Sequence, residues 1–120
     1  MRIAIVSAIV VLSACSNPVE RQQADVMDRV EKEIKLPIGA SALADYARYY
    51  AKDDKGRVRA VYTTYIEPRL DYYNLNPGAR RWVTDYRNLP LINDGGCGVV
   101  TFTFSPNTGF IDLPVCNNKV

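Results

Sequence analysis

The 120-residue sequence contains no histidine, and this absence removes the side chain that most often acts as a general base at neutral pH. Ser-His-Asp and Cys-His arrangements are excluded outright, because a serine or cysteine nucleophile needs a base beside it. A zinc site is equally hard to build, since Cys97 and Cys116 alone cannot complete the usual ligand shell. We therefore expect no metal, no cofactor and no enzymatic activity.

A large excess of charge of one sign is also missing. The chain carries 15 Lys and Arg residues against 13 Asp and Glu residues, which gives a formal net charge of +2. Nucleic-acid-binding domains present a strongly basic surface, so this balance predicts no nucleic-acid partner. Hydrophobic residues make up 48% of the sequence, which argues against disorder and is typical of one globular domain with a modest core.

Near its start, the sequence has no apolar run that is long enough to span a bilayer. The apolar run from Ile3 to Leu12 is about half of the roughly 20 residues that a transmembrane helix requires. It follows the positive start Met1-Arg2 and ends in small residues at Ser13-Ala14. A charged start, a short apolar core and a small-residue exit are typical of a secretory signal peptide.

The segment Leu12-Ser13-Ala14-Cys15 resembles the lipobox of bacterial lipoproteins. This resemblance implies that residues 1–14 are removed and that Cys15 carries a diacylglycerol on its sulfur and an acyl chain, such as palmitate, on its amino group. Residues 15–120 would then form a single mature domain that is anchored to a membrane by its lipid. Many such lipoproteins carry aspartate after the cysteine for inner-membrane retention, so Ser16 implies the outer membrane, facing the periplasm. The alternative is a secreted protein cut at the same bond, with Cys15 a free thiol.

The other two cysteines form an even pair in a chain that we expect to be exported. An oxidising compartment favours a disulfide between Cys97 and Cys116. A four-residue turn flanked by Phe104 and Gly109 would place the two cysteines directly opposite each other on neighbouring strands, where they can bond. A bulge at Gly109 would shift this register.

The first predicted helix begins at Asn17, which can cap it, with Pro18 at the first helical position and Glu20 at the third. It ends within the segment Leu36-Pro37-Ile38-Gly39. A second helical pattern runs from Ser41 to about Lys52. The apolar residues at helical spacing are Val19, Val26, Met27, Val30 and Ile34 in the first pattern, and Leu43, Tyr46, Ala47 and Tyr50 in the second.

The rest of the chain carries β-type patterns. Residues 57–66 alternate in character and are rich in β-branched and aromatic side chains, which predicts a strand, and residues 81–86 predict another. The runs 99–104 and 110–115 predict a hairpin, while residues 67–80 show neither helical nor strand periodicity. Helices followed by strands indicate an α+β fold. We expect two N-terminal helices packed on a three- to four-stranded antiparallel sheet that ends in a disulfide-closed hairpin.

Tyrosine and arginine are concentrated between residues 62 and 87. Tyr, Trp and Arg are enriched at binding hot spots, although arginine stacked on aromatic rings is also ordinary surface packing. The candidate partner surface consists of Arg69, Tyr72, Tyr73, Arg80, Arg81 and Trp82.

Three functions are compatible with these features. The preferred hypothesis is a small lipid-anchored, non-enzymatic lipoprotein that binds or scaffolds an envelope protein or a glycan. The second is a periplasmic inhibitor of a lysozyme or a protease. The third is a carboxylate-based enzyme that acts on glycans, and the missing bases disfavour it.

Overall fold

A computed structural model describes residues 17–92 and 94–117. The predicted signal peptide, the predicted lipobox and Ser16 lie outside the described residues, as does Asn93. The described chain is α+β, with one α-helix and a six-stranded mixed sheet. The elements are α1 (Pro18–Glu33), β1 (Ala47–Lys52), β2 (Val58–Thr63), β3 (Arg80–Trp82), β4 (Gly96–Ser105), β5 (Phe110–Ile111) and β6 (Val115–Asn117).

The start of α1 confirms the prediction from sequence. The Asn17 side chain accepts a hydrogen bond from the Val19 backbone N–H at 2.9 Å, and Pro18 occupies the first helical position. The helix buries Met27 and Val30 against the sheet. It ends at Glu33, because the next residue already has extended backbone angles, a few residues before the predicted end.

The second predicted helix, over residues 41–52, is wrong. Only a short 3-10 turn, Leu43–Asp45, precedes β1. Tyr46 and Tyr50 face α1, while Ala47 and Tyr49 are buried on the opposite face of the sheet. Because β1 is covered on both faces, it lacks the polar alternation that marks a half-exposed strand.

The strand order is β3-β1-β2-β4-β5, and β6 also pairs with β4. The purely antiparallel sheet that the sequence predicted is wrong, because β3 runs parallel to β1. After β2 the chain returns to the start of β1, where Gly78 N–H donates to the Tyr46 carbonyl and Arg48 N–H to the Ala79 carbonyl. The next strand therefore runs in the same direction as β1. It ends at Trp82, and a 3-10 turn occupies Tyr86–Asn88, so residues 81–86 are only partly strand.

The two faces of the sheet are covered differently. The face against α1 holds the larger core, which includes Tyr46, Tyr62 and Phe102. The other face is covered by two irregular segments, which we call loop A (residues 64–79) and loop B (residues 83–92 with 94 and 95). These loops contribute Leu75, Val83, Leu89 and Ile92 to a second apolar cluster.

The Cys97–Cys116 disulfide is confirmed, with the two Cα atoms 4.4 Å apart. The register predicted at the turn is wrong, because Phe104 pairs with Ile111 and not with Gly109. The predicted second strand of the hairpin is divided into β5 and β6. A register shift in β4 between Gly96 and Val100 offsets this changed register. The shift lets Cys97 reach Cys116, although the ladder pairs Cys116 with Val100.

Candidate functional site

Loops A and B leave an open cleft of about 680 Å³ between them. The cleft lies beside the sheet face that α1 does not cover. Its walls mix apolar, aromatic and charged side chains, a composition that is common in binding sites. The lining residues are Glu67, Leu70, Tyr72, Tyr73, Arg87, Asn88, Leu89, Leu91, Ile92 and Asp94.

Loop A is held by its own hydrogen bonds and by bonds to the sheet. Glu67 N–H donates to the Tyr73 carbonyl at 2.8 Å, and Tyr73 N–H to the Leu70 carbonyl at 3.0 Å. Leu75 N–H donates to the Tyr49 hydroxyl of β1 at 2.9 Å. The loop therefore has a defined shape although it contains neither helix nor strand.

Two of the predicted partner-surface residues, Tyr72 and Tyr73, line the cleft. Tyr72 is 47% exposed. Tyr73 is half-buried, and its hydroxyl shares a hydrogen bond with the Thr63 hydroxyl at 3.4 Å. Burial is the main reason that the pKa of Tyr73 is raised. Tyr72 is thus the ring that a partner can contact, while Tyr73 supports the loop.

The arginines among the predicted residues have separate positions. Arg69 pairs with Glu67, with 2.6 Å between Nε and Oε1, and lies outside the cleft lining. Arg81 donates to the Asp71 carbonyl and to the Asn74 side chain, which ties loop A to β3.

Arg80 faces the helix, where it binds Asp28 and Glu31. Trp82 is half-buried and packs against the core on that side. Tyr72, Arg81 and Trp82 do meet along a second hollow, of about 430 Å³, beside β3 at the edge of the sheet.

Loop B supplies most of the residues that line the cleft, and the candidate surface predicted from the sequence did not include it. The ring of Tyr86 lies under the Arg59 guanidinium at 5.0 Å, and this contact holds the loop on the sheet. The side chain of Asp85 accepts from the Arg87 backbone N–H at 3.0 Å and also binds the Arg87 guanidinium. The signal that could have found this wall is the apolar run around Leu91, which is 89% exposed.

Two carboxylates at or near the cleft are each paired with an arginine. The Arg69 guanidinium, hydrogen-bonded to Glu67, holds the pKa of that carboxyl below its ordinary value. Arg87 lowers the pKa of Asp85 in the same way. A general acid needs a raised pKa if it is to hold a proton at neutral pH, so neither carboxyl is prepared for that role.

Within residues 17–92 and 94–117, no group of three or more acidic or cysteine side chains is arranged to hold a metal ion. Among the same residues, no helix is long and apolar enough to cross a membrane. No protein-family model, curated protein or solved structure matches this chain.

Proposed function

We propose that this chain is a small lipid-anchored lipoprotein of the cell envelope that binds a partner in the cleft between loops A and B without catalysing a reaction. The observation that carries the proposal is the exposure of Leu70, Tyr72 and Leu91, which all line that cleft. An apolar patch next to charged residues on a small soluble domain is a common mark of a binding site. The lipobox at Leu12–Cys15 supports the envelope location.

The lining suggests which partners fit. Tyr72 offers a flat ring that can stack on a sugar or pack against a protein side chain, and tyrosine is enriched at binding hot spots. Arg87 and Asp94 supply charges of both signs at the same cleft. This mixture favours an envelope protein or a glycan over a strongly charged polymer.

Crosslinking in the native envelope tests the proposal. A photoreactive side chain in place of Leu91 should capture a partner, and Tyr72→Ala in the same protein should abolish the capture with nearly unchanged thermal stability. Tyr65→Ala is the matched control, because Tyr65 is 48% exposed on loop A but does not line the cleft. Equal capture by the Tyr72→Ala and Tyr65→Ala variants would refute the cleft as the binding site.

A periplasmic inhibitor of a lysozyme or a protease is the second candidate. It is supported by the bracing of loop A, since a rigid exposed loop suits insertion into an enzyme cleft. Residues 68–72 are all exposed. Inhibition assays with the purified mature protein test this candidate, and inhibition should be lost in Tyr72→Ala but kept in Tyr65→Ala.

A further inference from the structure

The connection between the proposed lipid anchor and the domain is very short. Cys15 precedes Pro18, the first residue of α1, by three residues. Consecutive Cα atoms are about 3.8 Å apart, so the Cys15 and Pro18 Cα atoms lie within about 11 Å of each other in any conformation. If Cys15 carries the lipid, the first turn of α1 must stay close to the bilayer surface.

Four segments of the fold meet near the start of α1. The first turns of the helix, the β1–β2 turn, the β4–β5 turn and the end of β3 with Thr84 surround a hollow of about 440 Å³. Its lining includes the apolar Val19 and Trp82 and the cation of Lys52. Amide side chains complete the polar part of the wall, from Gln22, Gln23 and Asn107.

The surface around this hollow is suited to a lipid–water interface. Val19, which lines the hollow, is 56% exposed. Trp82 also lines the hollow, and tryptophan favours the headgroup level of a bilayer. The Arg29 guanidinium also donates to the Pro106 carbonyl of the β4–β5 turn. The exposed charged side chains of this end are the cations Arg21, Arg29, Lys52 and Lys55 and the carboxylates Glu20, Asp25 and Asp54.

We infer that this end of the domain lies on the bilayer and that the hollow receives the headgroup of an anionic phospholipid. Lys52 would bind the phosphate, the amides would bind headgroup oxygens, and Val19 would contact the acyl-chain boundary. This inference rests on the proposed lipid anchor. It also accounts for the position of the cleft, which lies beside the other face of the sheet and would remain accessible to a partner.

Two labelling positions test the orientation in the lipidated full-length protein. Lys55→Cys places a fluorophore in the β1–β2 turn, and Ala44→Cys places one in the 3-10 turn before β1; both residues are exposed. The six residues of β1 separate these positions by about 17 Å. In anionic vesicles with a headgroup quencher, we expect a larger loss of fluorescence at position 55 than at position 44. Equal losses, or a larger loss at position 44, would overturn the inference.

A charge exchange tests the headgroup contact. With the label at position 55, Arg21→Glu with Lys52→Glu should reduce the quenching in anionic vesicles. Lys32→Glu with Lys35→Glu makes the same change of charge at the other end of α1 and should leave the quenching unchanged. Undiminished quenching in the Arg21→Glu, Lys52→Glu protein would show that these cations do not bind the headgroup.

A separate measurement distinguishes failure of the inference from failure of the proposed function. Fatty-acid incorporation at Cys15 is determined on each protein before reconstitution. If Cys15 is not acylated, the lipid anchor and the orientation are both refuted. If Cys15 is acylated and the two labels are quenched equally, only the orientation is refuted.

Discussion

Glu31 links α1 to the sheet through ion pairs. Its carboxylate contacts Arg48 of β1 and Arg80 of β3, and Asp28 binds Arg80 at 2.7 Å. The side chain of Glu31 is only 11% exposed, and that of Arg48 is 12% exposed. Because the Glu31–Arg48 pair in this cluster is shielded from water, an Arg48 guanidinium without its anionic partner would be costly.

Neutralising Glu31 should therefore destabilise the fold. We expect Glu31→Gln to lower the free energy of unfolding by about 3 kcal/mol, as measured by urea denaturation. Glu33→Gln is the control, because Glu33 is 49% exposed and lies 4.0 Å from Arg29 in a surface pair that contributes about 0.5 kcal/mol or less. Equal losses in the two variants would contradict the role given to the cluster.

Tyr50 and Tyr62 form a buried pair whose hydroxyls share a hydrogen bond of 2.5 Å. Burial is the main cause that raises the pKa of both hydroxyls, and for Tyr50 the neighbouring Tyr62 raises it further. In the unfolded chain a tyrosine ionises near pH 10. Above that pH the unfolded state releases protons that the folded state retains, so the free energy of unfolding falls as the pH rises.

Removal of the two hydroxyls should weaken this alkaline destabilisation. Urea denaturation from about pH 8 to about pH 11 should show a smaller decline for Tyr50→Phe with Tyr62→Phe than for the wild type. At neutral pH, Tyr50→Phe alone should cost about 1–3 kcal/mol, because the hydroxyl of Tyr62 loses its partner. Tyr72→Phe, at an exposed ring, is the control. A decline as steep in the double variant as in the wild type would assign the effect to other groups.

At the scale of elements, the sequence predicted those features that depend on neighbouring residues in the chain. The capping side chain of Asn17 and the fixed backbone angle of Pro18 act within one turn, so the start of α1 could be read from the sequence. The β-branched and aromatic residues of 57–66 likewise predicted β2. The end of α1 at Glu33 was harder, because nothing in the next residues forbids a helix until Pro37.

β1 shows where local signals fail. Tyr46 and Tyr50 are four residues apart, which matches one face of a helix as well as it matches alternate positions on a strand. What decides the structure is the pairing of Ala47–Lys52 with β2, which follows after a short turn, and with β3, which begins only at Arg80. Pairing with other segments leaves no periodic signal within β1 itself.

The disulfide stabilises the fold by closing the loop between its two cysteines. Cys97 and Cys116 are 19 residues apart in sequence, and a crosslink over such a loop adds about 3 kcal/mol by the chain-entropy estimate. We expect Cys97→Ala with Cys116→Ala to lower the free energy of unfolding by about that amount. Reductant should destabilise the wild type equally and leave the variant unchanged. Two reactive thiols at these positions in the oxidised, unfolded mature protein would refute the bridge.

At the scale of the whole molecule, the sheet separates two surfaces. One face is covered by α1 and stabilised by the Glu31 cluster, and the other carries loops A and B with the cleft between them. The surface predicted from composition includes Tyr72 and Tyr73 of the cleft lining but not the wall around Leu91, because loops A and B are brought together by the fold and not by proximity in sequence. It also includes Arg80, although alternation along β3 directs Arg80 toward the helix.

The proposed lipid attachment at Cys15 would determine where this molecule works. Cys15→Ala should leave a precursor that incorporates no labelled palmitate, because the sulfur that accepts the diacylglycerol is missing. Ser16→Asp is the matched control, since it keeps the sulfur and should label like the wild type. By resemblance to the sorting rule of bacterial lipoproteins, however, Ser16→Asp should fractionate with the inner membrane instead of the outer membrane. Labelling of the Cys15→Ala protein, together with its recovery in membranes, would refute the lipobox and with it the proposed envelope location.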